Sequence, residues 1–369
     1  MPSPDHSPLP ANLLGMNRPE LERFCLDMGE KRFRADQLLQ WVHRFGAADF
    51  DAMTNLGKGL RSRLAEIARI TPPAIVLDRT SADGTRKWVL ELHDRNRIEM
   101  VFIPEAQRGT LCISSQVGCQ LNCRFCATAR QGYNRNLDVA EIVGQAWIAY
   151  RLLPAPPGRP SPITNIVFMG MGEPMLNLDN VAGAIGLLLD DHAYGLARKR
   201  VTVSTAGVVP GIDRLRELAP VSLAVSLHAP DDALRNELVP LNRRYPLEQL
   251  MAACKRFIAP EKNRKVTFEY TLMDGVNDSP VQARALVRLL SGVPSKINLI
   301  PFNPFPGAPY RRSSDAAIER FKEILLKHGF IATVRRTRGE DIDAACGQLV
   351  GQVQPRTRRS VPTYGEVAA

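Results

Sequence analysis

Three cysteines in one short segment are the residues of this sequence best suited to hold a metal. Cys119, Cys123 and Cys126 have the spacing CxxxCxxC, so a single loop can bring three thiolates together. Thiolate sulfur suits both zinc and iron–sulfur centres. A zinc site needs a fourth ligand and usually a second pair of ligands farther along the chain, and the sequence has no such second pair. A [4Fe–4S] cluster held by three thiolates instead leaves one iron open to a small molecule, which makes it a reactive site.

This loop follows a predicted strand in a part of the chain where strands alternate with helical stretches. Runs rich in β-branched residues lie at 110–114, 163–169, 201–205, 221–227, 266–272, 297–300 and 332–335. Such alternation is typical of parallel βα units. The sequence therefore predicts an α/β fold in which the cysteine loop comes directly after a parallel strand.

Two smaller units are expected before the βα units. Residues 13–70 have apolar side chains at three- and four-residue spacings, which indicates helices. Residues 88–92 and 98–103 resemble strands, with an Asp-Gly turn just upstream at 83–84. The expected domains are a helical unit at 1–71, a β connector at 72–104, the βα domain at 105–350 and a basic, flexible tail at 351–369.

The composition describes a folded, basic protein. The chain has 369 residues, of which 44% are hydrophobic and 23% charged, so a disordered tail protein and a disulfide-stapled miniprotein are excluded. Lys plus Arg outnumber Asp plus Glu by 48 − 38 = 10, which favours a polyanionic partner, although a basic excess can also reflect genome composition. Basic residues of the helical unit could contact phosphates or simply form a solvated face; they are Lys31, Arg32, Arg34, Lys58, Arg61 and Arg63.

No secretion signal or membrane span is recognisable in the sequence. We therefore expect a cytoplasmic protein whose cysteines are mostly reduced. Cys25 and Cys254 fall at helical apolar positions and are expected to lie in the core.

The cysteine loop, with Phe125 before its last cysteine, resembles the cluster loop of the radical S-adenosylmethionine (SAM) enzymes. Across residues 103–349 the chain is similar to one group of these enzymes, the RlmN family of dual-specificity RNA methyltransferases, and residues 111–119, 131–137, 302–310 and 338–349 carry the similarity. The resemblance implies a partial (β/α)6 radical SAM barrel, with a small N-terminal helical domain and a β connector that dock RNA. It also implies a [4Fe–4S] cluster on Cys119, Cys123 and Cys126, and SAM bound at the open iron.

In this family, residues at the carboxyl ends of the barrel strands surround SAM. Alone, each of the matching residues would be a turn or structural residue. The resemblance implies that Gly172 and Glu173, in a Gly-Glu-Pro turn, bind the methionine amine through a backbone carbonyl and a carboxylate. The remaining implied SAM contacts are Ser204, Ser226, Leu227, His228 and Asn303.

Two cysteines outside the cluster loop are implied to carry out the methyl transfer. Taken alone, Cys346 would most often be a small buried residue. The resemblance implies that Cys346 accepts a methyl group from one SAM, and that a radical from a second SAM converts this group into a methylene radical. That radical adds to carbon 2 of adenosine, after which Cys112 attacks the Cys346 sulfur, releases methylated RNA and leaves a disulfide. Glu99 matches the proton acceptor of the family, although in its strand it could simply face solvent.

The implied substrates are adenosines in 23S rRNA, at the peptidyl transferase centre, and in tRNA, next to the anticodon. An electron donor such as flavodoxin or ferredoxin and a monomeric enzyme are implied as well. Two alternatives remain: methylation of adenosine C8 by the closely similar resistance methyltransferases, and a non-catalytic RNA-binding protein with a structural metal site. The full helical unit and the context of Cys346 favour the C2 enzyme, and the binding protein would leave Cys112, Cys346 and the Gly-Glu-Pro turn unexplained.

Overall fold

The computed structural model describes residues 10–158, 161–261 and 263–352. The strands are β1 (Ala11–Asn12), β2 (Ala68–Arg69), β3 (Ala74–Thr80), β4 (Arg86–Glu91), β5 (Arg97–Glu105), β6 (Arg108–Cys112), β7 (Gln116–Gly118), β8 (Tyr133–Asn136), β9 (Asn165–Phe168), β10 (Val201–Thr205), β11 (Ser222–Ser226), β12 (Val266–Leu272), β13 (Ser295–Pro301) and β14 (Ile331–Val334). The helices are α1 (Arg18–Asp27), α2 (Arg34–Leu39), α3 (Lys58–Ile67), α4 (Ala127–Arg130), α5 (Val139–Leu152), α6 (Leu178–Leu189), α7 (Val209–Leu218), α8 (Asp232–Leu238), α9 (Leu247–Ile258), α10 (Pro280–Leu290) and α11 (Asp315–Lys327).

One ten-stranded sheet organises the molecule, in the order β14-β13-β12-β11-β10-β9-β6-β5-β4-β3. Strands β6 and β9 to β14 form the parallel part of the sheet, and strands β3 to β6 form its antiparallel part. Strand β6 joins the two parts, because it pairs parallel with β9 and antiparallel with β5. Helices follow β6 and each strand from β9 to β13 before the next parallel strand begins. The expected α/β radical SAM fold is therefore confirmed, with β14 as a further parallel strand at the edge.

Local sequence explains where the barrel helices begin. The side chain of Asp138 accepts a hydrogen bond from the backbone of Glu141, and the Glu141 side chain accepts one from the backbone of Asp138, which starts α5. Ser279 and Gln282 make the same reciprocal cap at the start of α10. These caps satisfy backbone N–H groups at the helix starts and fix the turns that lead out of the preceding strands.

The region expected to be a connector is continuous with the barrel sheet. Val101 of β5 pairs with Cys112 of β6, and β6 pairs in turn with β9. The expected boundary between residues 104 and 105 therefore falls inside β5. The edge strand β3 was not expected, because every one of its residues is exposed and its sequence lacks the alternation that marks a half-buried strand.

The N-terminal helices pack against barrel helix α5. The indole Nε1 of Trp147 donates to the carbonyl of Val42 at 2.7 Å, and a Cβ on Gly144 would lie 2.7 Å from Pro73. Residues 141–149 of α5 are all buried, so this helix is covered on the N-terminal side as well as on the barrel side. Among the described residues, no helix is long and apolar enough to cross a membrane. Residues 353–369 of the expected tail lie outside the described residues.

Candidate active site

The cysteine loop begins where β7 ends, beside the hairpin partner β8. Gly118 has φ +75°, and a Cβ at this position would collide with the carbonyl oxygen of Gly132. The backbone N–H of Cys119 donates to that same carbonyl at 2.8 Å. Glycine at 118 therefore lets the chain turn sharply and present the first thiol directly after the strand.

The three thiols of this loop line a cavity of about 160 Å³. Burial raises the pKa of Cys119 and of Cys123, and the neighbouring thiols add to the rise. Thiols in this setting lose their protons when a bound cation stabilises the thiolates. Within the described residues, no group of three or more His, Cys, Asp or Glu side chains is arranged to hold a single metal ion.

Glu173 lines the same cavity, in the turn after β9. Gly172 has φ +100°, and a Cβ there would collide with the side chain of Gln116, so only glycine fits beside the cysteine loop. Glu173 is 3% exposed, and its carboxylate accepts from the backbone N–H groups of Ala206 at 2.8 Å and Met175 at 3.1 Å. Burial raises the pKa of Glu173 to about 7, so a cationic amine in the cavity would favour its ionised form.

The next strands bring Ser204, Ser226 and His228 to the same cavity, as expected. The ring of His228 lies 4.2 Å from that of Phe125, and its Nδ1 accepts from the backbone N–H of Thr271 at 3.0 Å. Burial lowers the pKa of His228 to about 3, so the imidazole is neutral.

Leu227 differs from its neighbours in the predicted SAM site. Its side chain is fully buried and is not part of the cavity wall. Its backbone N–H donates to the carbonyl of Glu269, and its carbonyl accepts from Nε of Arg235 at 3.1 Å. Because β11 is a buried inner strand, alternate side chains of this segment point away from the cavity.

Cys346 lies on a wall shared by this inner chamber and an adjoining outer chamber that Cys112 also lines. Asn303, as expected, is at the cavity, and its amide donates to the carbonyl of Cys346 at 3.1 Å. Cys112 and Cys346, the two cysteines outside the cluster loop, are free thiols. Cys346 is exposed and Cys112 is buried. Burial raises the pKa of Cys112 to about 12, and proximity to the Cys346 sulfur contributes to this shift.

Glu99 is buried rather than exposed to solvent, and it lines neither chamber. One carboxylate oxygen lies 3.5 Å from Nζ of Lys87, and the other accepts from the backbone N–H of Val350 at 3.1 Å. Lys87 also donates to the carbonyl of Asp343 at 3.2 Å. Glu99 and Lys87 together therefore hold both ends of the segment that carries Cys346.

Two charged residues of the inner chamber were missed from the sequence, Glu269 of β12 and Arg335 just after β14. Glu269 is 4% exposed, and one of its oxygens lies 3.8 Å from Nη1 of Arg335. An acidic residue inside the predicted buried strand 266–272 was the available signal, because buried carboxylates are rare without a specific role or partner.

The donor set of the inner chamber fits a [4Fe–4S] cluster with SAM. Three thiols and a buried carboxylate suited to an amine line the same chamber.

Comparisons with known proteins agree with this arrangement. Residues 11–70 match the family model of the ribosomal RNA large subunit methyltransferase N-terminal domain, and residues 113–286 match the radical SAM superfamily. The chain is 57% identical over 352 residues to a dual-specificity RNA methyltransferase RlmN of Marinobacter nauticus, which covers 95% of both chains. It is also similar to the crystal structure of a radical SAM methyltransferase from Sphaerobacter thermophilus, with a TM-score of 0.86 and 47% identity over 92% of this chain and 99% of that one. The chain therefore belongs to the RlmN family of radical SAM RNA methyltransferases, which use a [4Fe–4S] cluster and SAM.

Proposed function

We propose that this protein methylates carbon 2 of adenosine in 23S rRNA and in tRNA, with Cys346 as the methyl carrier and two SAM consumed per turnover. The observation that carries the proposal is the position of Cys346 on the wall between two chambers. The inner chamber holds the cluster thiols and the outer chamber holds Cys112. One sulfur can therefore face the cofactors on one side and the RNA base on the other.

The chemistry of the substrate explains why a carrier is needed. Carbon 2 of adenine lies between two ring nitrogens and is electron-poor, so it cannot displace the methyl group of SAM as a nucleophile. When bound, the cluster and SAM supply the methyl group and the one-electron chemistry that activates it. The chain contributes the Cys346 sulfur, which holds the methyl carbon at the passage toward the outer chamber.

Cys112 is proposed to end the cycle. Once the radical adduct has lost the C2 proton and passed one electron to an acceptor, the Cys112 thiolate attacks the Cys346 sulfur. The S–S bond forms, the bond between sulfur and the transferred carbon breaks, and its electron pair stays on that carbon, which takes up a proton and becomes the methyl group. An external reductant then supplies two electrons to restore both thiols. In the described state both oxygens of Glu99 are engaged by Lys87 and Val350, so its proposed role as proton acceptor requires the Val350 contact to open.

The N-terminal helices are proposed to dock the RNA. Lys31, Arg32 and Lys58 are exposed and make no side-chain hydrogen bond or ion pair within the part of the chain that the structure describes. The other three basic residues have partners within the protein. Arg34 contacts Gln37 and Glu30, Arg61 contacts the carbonyl of Asp51, and Arg63 contacts the carbonyl of Met28 and the Glu30 side chain. The proposed RNAs place the reaction in the cytoplasm, with a monomeric enzyme and a flavodoxin or ferredoxin as electron donor.

Substitutions of Cys112 and Cys346 provide the decisive experiment. Cys346→Ala removes the carrier, so neither a covalent adduct nor methylated RNA should form. Cys112→Ala keeps the carrier but removes the resolving thiolate, so a nuclease-sensitive protein–RNA adduct should accumulate on denaturing gels. Cys112→Ser should not restore turnover, because a hydroxyl cannot form the disulfide.

Wild-type enzyme and Cys254→Ala are the controls, since Cys254 is a fully buried cysteine away from the chambers. Mass spectrometry of the digested RNA product identifies the methylated carbon and separates C2 from C8 chemistry. Methylated product from Cys346→Ala, or an adduct in that variant alone, would rule the scheme out. Zinc without sulfide in anaerobically purified protein would favour a binding protein with a structural metal.

A further inference from the structure

Arg335 lies at the passage between the two chambers. Its backbone N–H donates to the carbonyl of Leu299 at 2.8 Å, which fixes the chain directly after β14. Its side chain lines the inner chamber, with the cluster thiols, and the outer chamber, with Cys112. Cys346 is on the same shared wall. The guanidinium therefore stands where the methyl carrier must meet the base.

The donors of this guanidinium are available to a ligand. Within the described ranges, the Arg335 side chain makes no hydrogen bond, and its ionic contact is with Glu269 at 3.8 Å. Among the described residues that line both chambers, only Asn303 and Arg335 carry side-chain N–H donors. One N–H of the Asn303 amide is already engaged with the carbonyl of Cys346. The guanidinium of Arg335 therefore offers the larger number of free donors at this passage, and the ones that carry a positive charge.

A chain of polar side chains runs from buried Glu269 through Asn298 to exposed Thr333, beside Arg335. The Asn298 amide donates to Oε1 of Glu269 at 2.9 Å, and the Thr333 hydroxyl donates to Oδ1 of Asn298 at 2.8 Å. The second oxygen of Glu269 has no hydrogen-bond partner among the described residues. A buried carboxylate of this kind keeps a nearby guanidinium oriented, because leaving its charge without compensation is costly.

We propose that Arg335 is a substrate-contacting residue that donates a hydrogen bond to a ring nitrogen of the target adenine, and that Glu269 is its positioning residue. The inference rests on the proposed function. Both neighbours of carbon 2, N1 and N3, are acceptors in adenine. A donor on either nitrogen fixes carbon 2 against the Cys346 sulfur and withdraws electron density from the carbon that receives the methylene group.

The matched pair of variants is Arg335→Gln and Arg336→Gln. Arg336 is the next residue and is exposed. It lines the outer chamber but not the inner one, and its substitution removes the same charge. Arg335→Gln should slow RNA methylation about 10- to 100-fold, the effect of removing one charge-assisted hydrogen bond. S-methylation of Cys346, measured by intact mass, should remain, and more SAM should be cleaved per RNA methylated. Arg336→Gln should weaken RNA binding and its salt dependence while leaving that ratio unchanged.

Substrate analogues test the contact itself. RNA carrying 1-deazaadenosine or 3-deazaadenosine at the target replaces one ring nitrogen by CH. With the analogue that lacks the contacted nitrogen, Arg335→Gln should cause no further loss beyond the analogue's own effect, whereas with the other analogue the losses should multiply. Arg335→Lys keeps the charge without the planar fork and should recover only part of the rate. Glu269→Gln should show the same non-additivity as Arg335→Gln, but more weakly.

Three results would overturn the inference. In the first, the rate loss caused by Arg335→Gln multiplies with the rate loss caused by the analogue for both analogues. Another is an Arg335→Gln enzyme that behaves like Arg336→Gln, with weaker RNA binding and normal SAM use, because Arg335 would then contact only phosphate. The last is an Arg335→Gln chain that fails to fold while Arg335→Lys has full wild-type activity. Failure of the proposed function is distinguishable, since wild-type enzyme would then give no 2-methyladenosine or no S-methylated Cys346, and the Arg335 assignment would fall with it.

Discussion

Burial controls the charge of individual side chains throughout this site. Glu173 and His228 are both almost fully buried, and burial shifts their pKa values in opposite directions, to about 7 and about 3. Both shifts favour the neutral form because a buried charge loses its hydration. Arg235 stays charged in the same region because its donors reach three carbonyls and the Asn242 side chain.

At the same scale, each cluster cysteine should be indispensable for iron binding. Cys119→Ala, Cys123→Ala or Cys126→Ala removes one of three thiolate ligands, so each variant should lose iron–sulfur absorbance and reductive SAM cleavage. Iron and sulfide analysis of anaerobically purified protein measures the loss. Cys254→Ala should retain both properties, because Cys254 is a residue of α9 that is buried in the core. A cluster variant with full iron content and full SAM cleavage would contradict the assignment.

At the scale of elements, the positions of the barrel strands along the chain were predictable from the sequence. The expected strands 201–205 and 266–272 coincide with β10 and β12, because buried parallel strands are continuous β-branched runs. The cysteine loop was predictable because its three ligands are neighbours in the chain. The pairing of Glu269 with Arg335 was not, since it depends on how β12, β13 and β14 align in the sheet. The role of Glu99 in holding the Cys346 segment likewise depends on contacts between residues distant in sequence.

The contact between the N-terminal unit and the barrel should depend on pH through His43. His43 is buried, its Nδ1 lies 3.3 Å from the Tyr194 hydroxyl, and burial lowers its pKa from 6.5 to about 3. The unfolded chain therefore binds a proton that the folded chain excludes, and stability is lost as pH falls through 6.5 toward 3. At about pH 5 this one group should cost about 2 kcal/mol relative to neutral pH.

Urea unfolding at neutral pH and at about pH 5 measures this effect. His43→Gln should remove about 2 kcal/mol of the difference in unfolding free energy between the two conditions. His328→Gln is the control, because His328 is exposed at the end of α11. An equal pH dependence in wild type and His43→Gln would contradict the prediction, because it would show that folding leaves the pKa of His43 unchanged.

At the scale of the whole molecule, the N-terminal unit is both a proposed RNA-docking surface and a cover for the barrel. Helix α5 is buried from residue 141 to residue 149, and the carbonyl of Val42 receives the Trp147 indole. Deleting the first 72 residues would expose this apolar helix, so loss of RNA binding in a truncated chain would mix docking with instability. Surface substitutions separate the two effects because they leave the packing intact.

The docking surface is therefore tested with the triple variant Lys31→Gln, Arg32→Gln and Lys58→Gln. If each of these side chains neutralises a phosphate, RNA affinity should fall and the magnitude of the slope of log affinity against log salt should decrease by about 2 to 3, since fewer counterions are released. SAM cleavage without RNA should be unchanged, because the substitutions are far in sequence from the chambers' lining residues and lie on exposed positions.

The matched control removes the same charge from α10 and α11, through Arg284→Gln, Arg288→Gln and Arg320→Gln. Equal losses of affinity and slope in the two triple variants would mean that RNA responds to the net charge of +10 and not to a docking surface on the N-terminal helices.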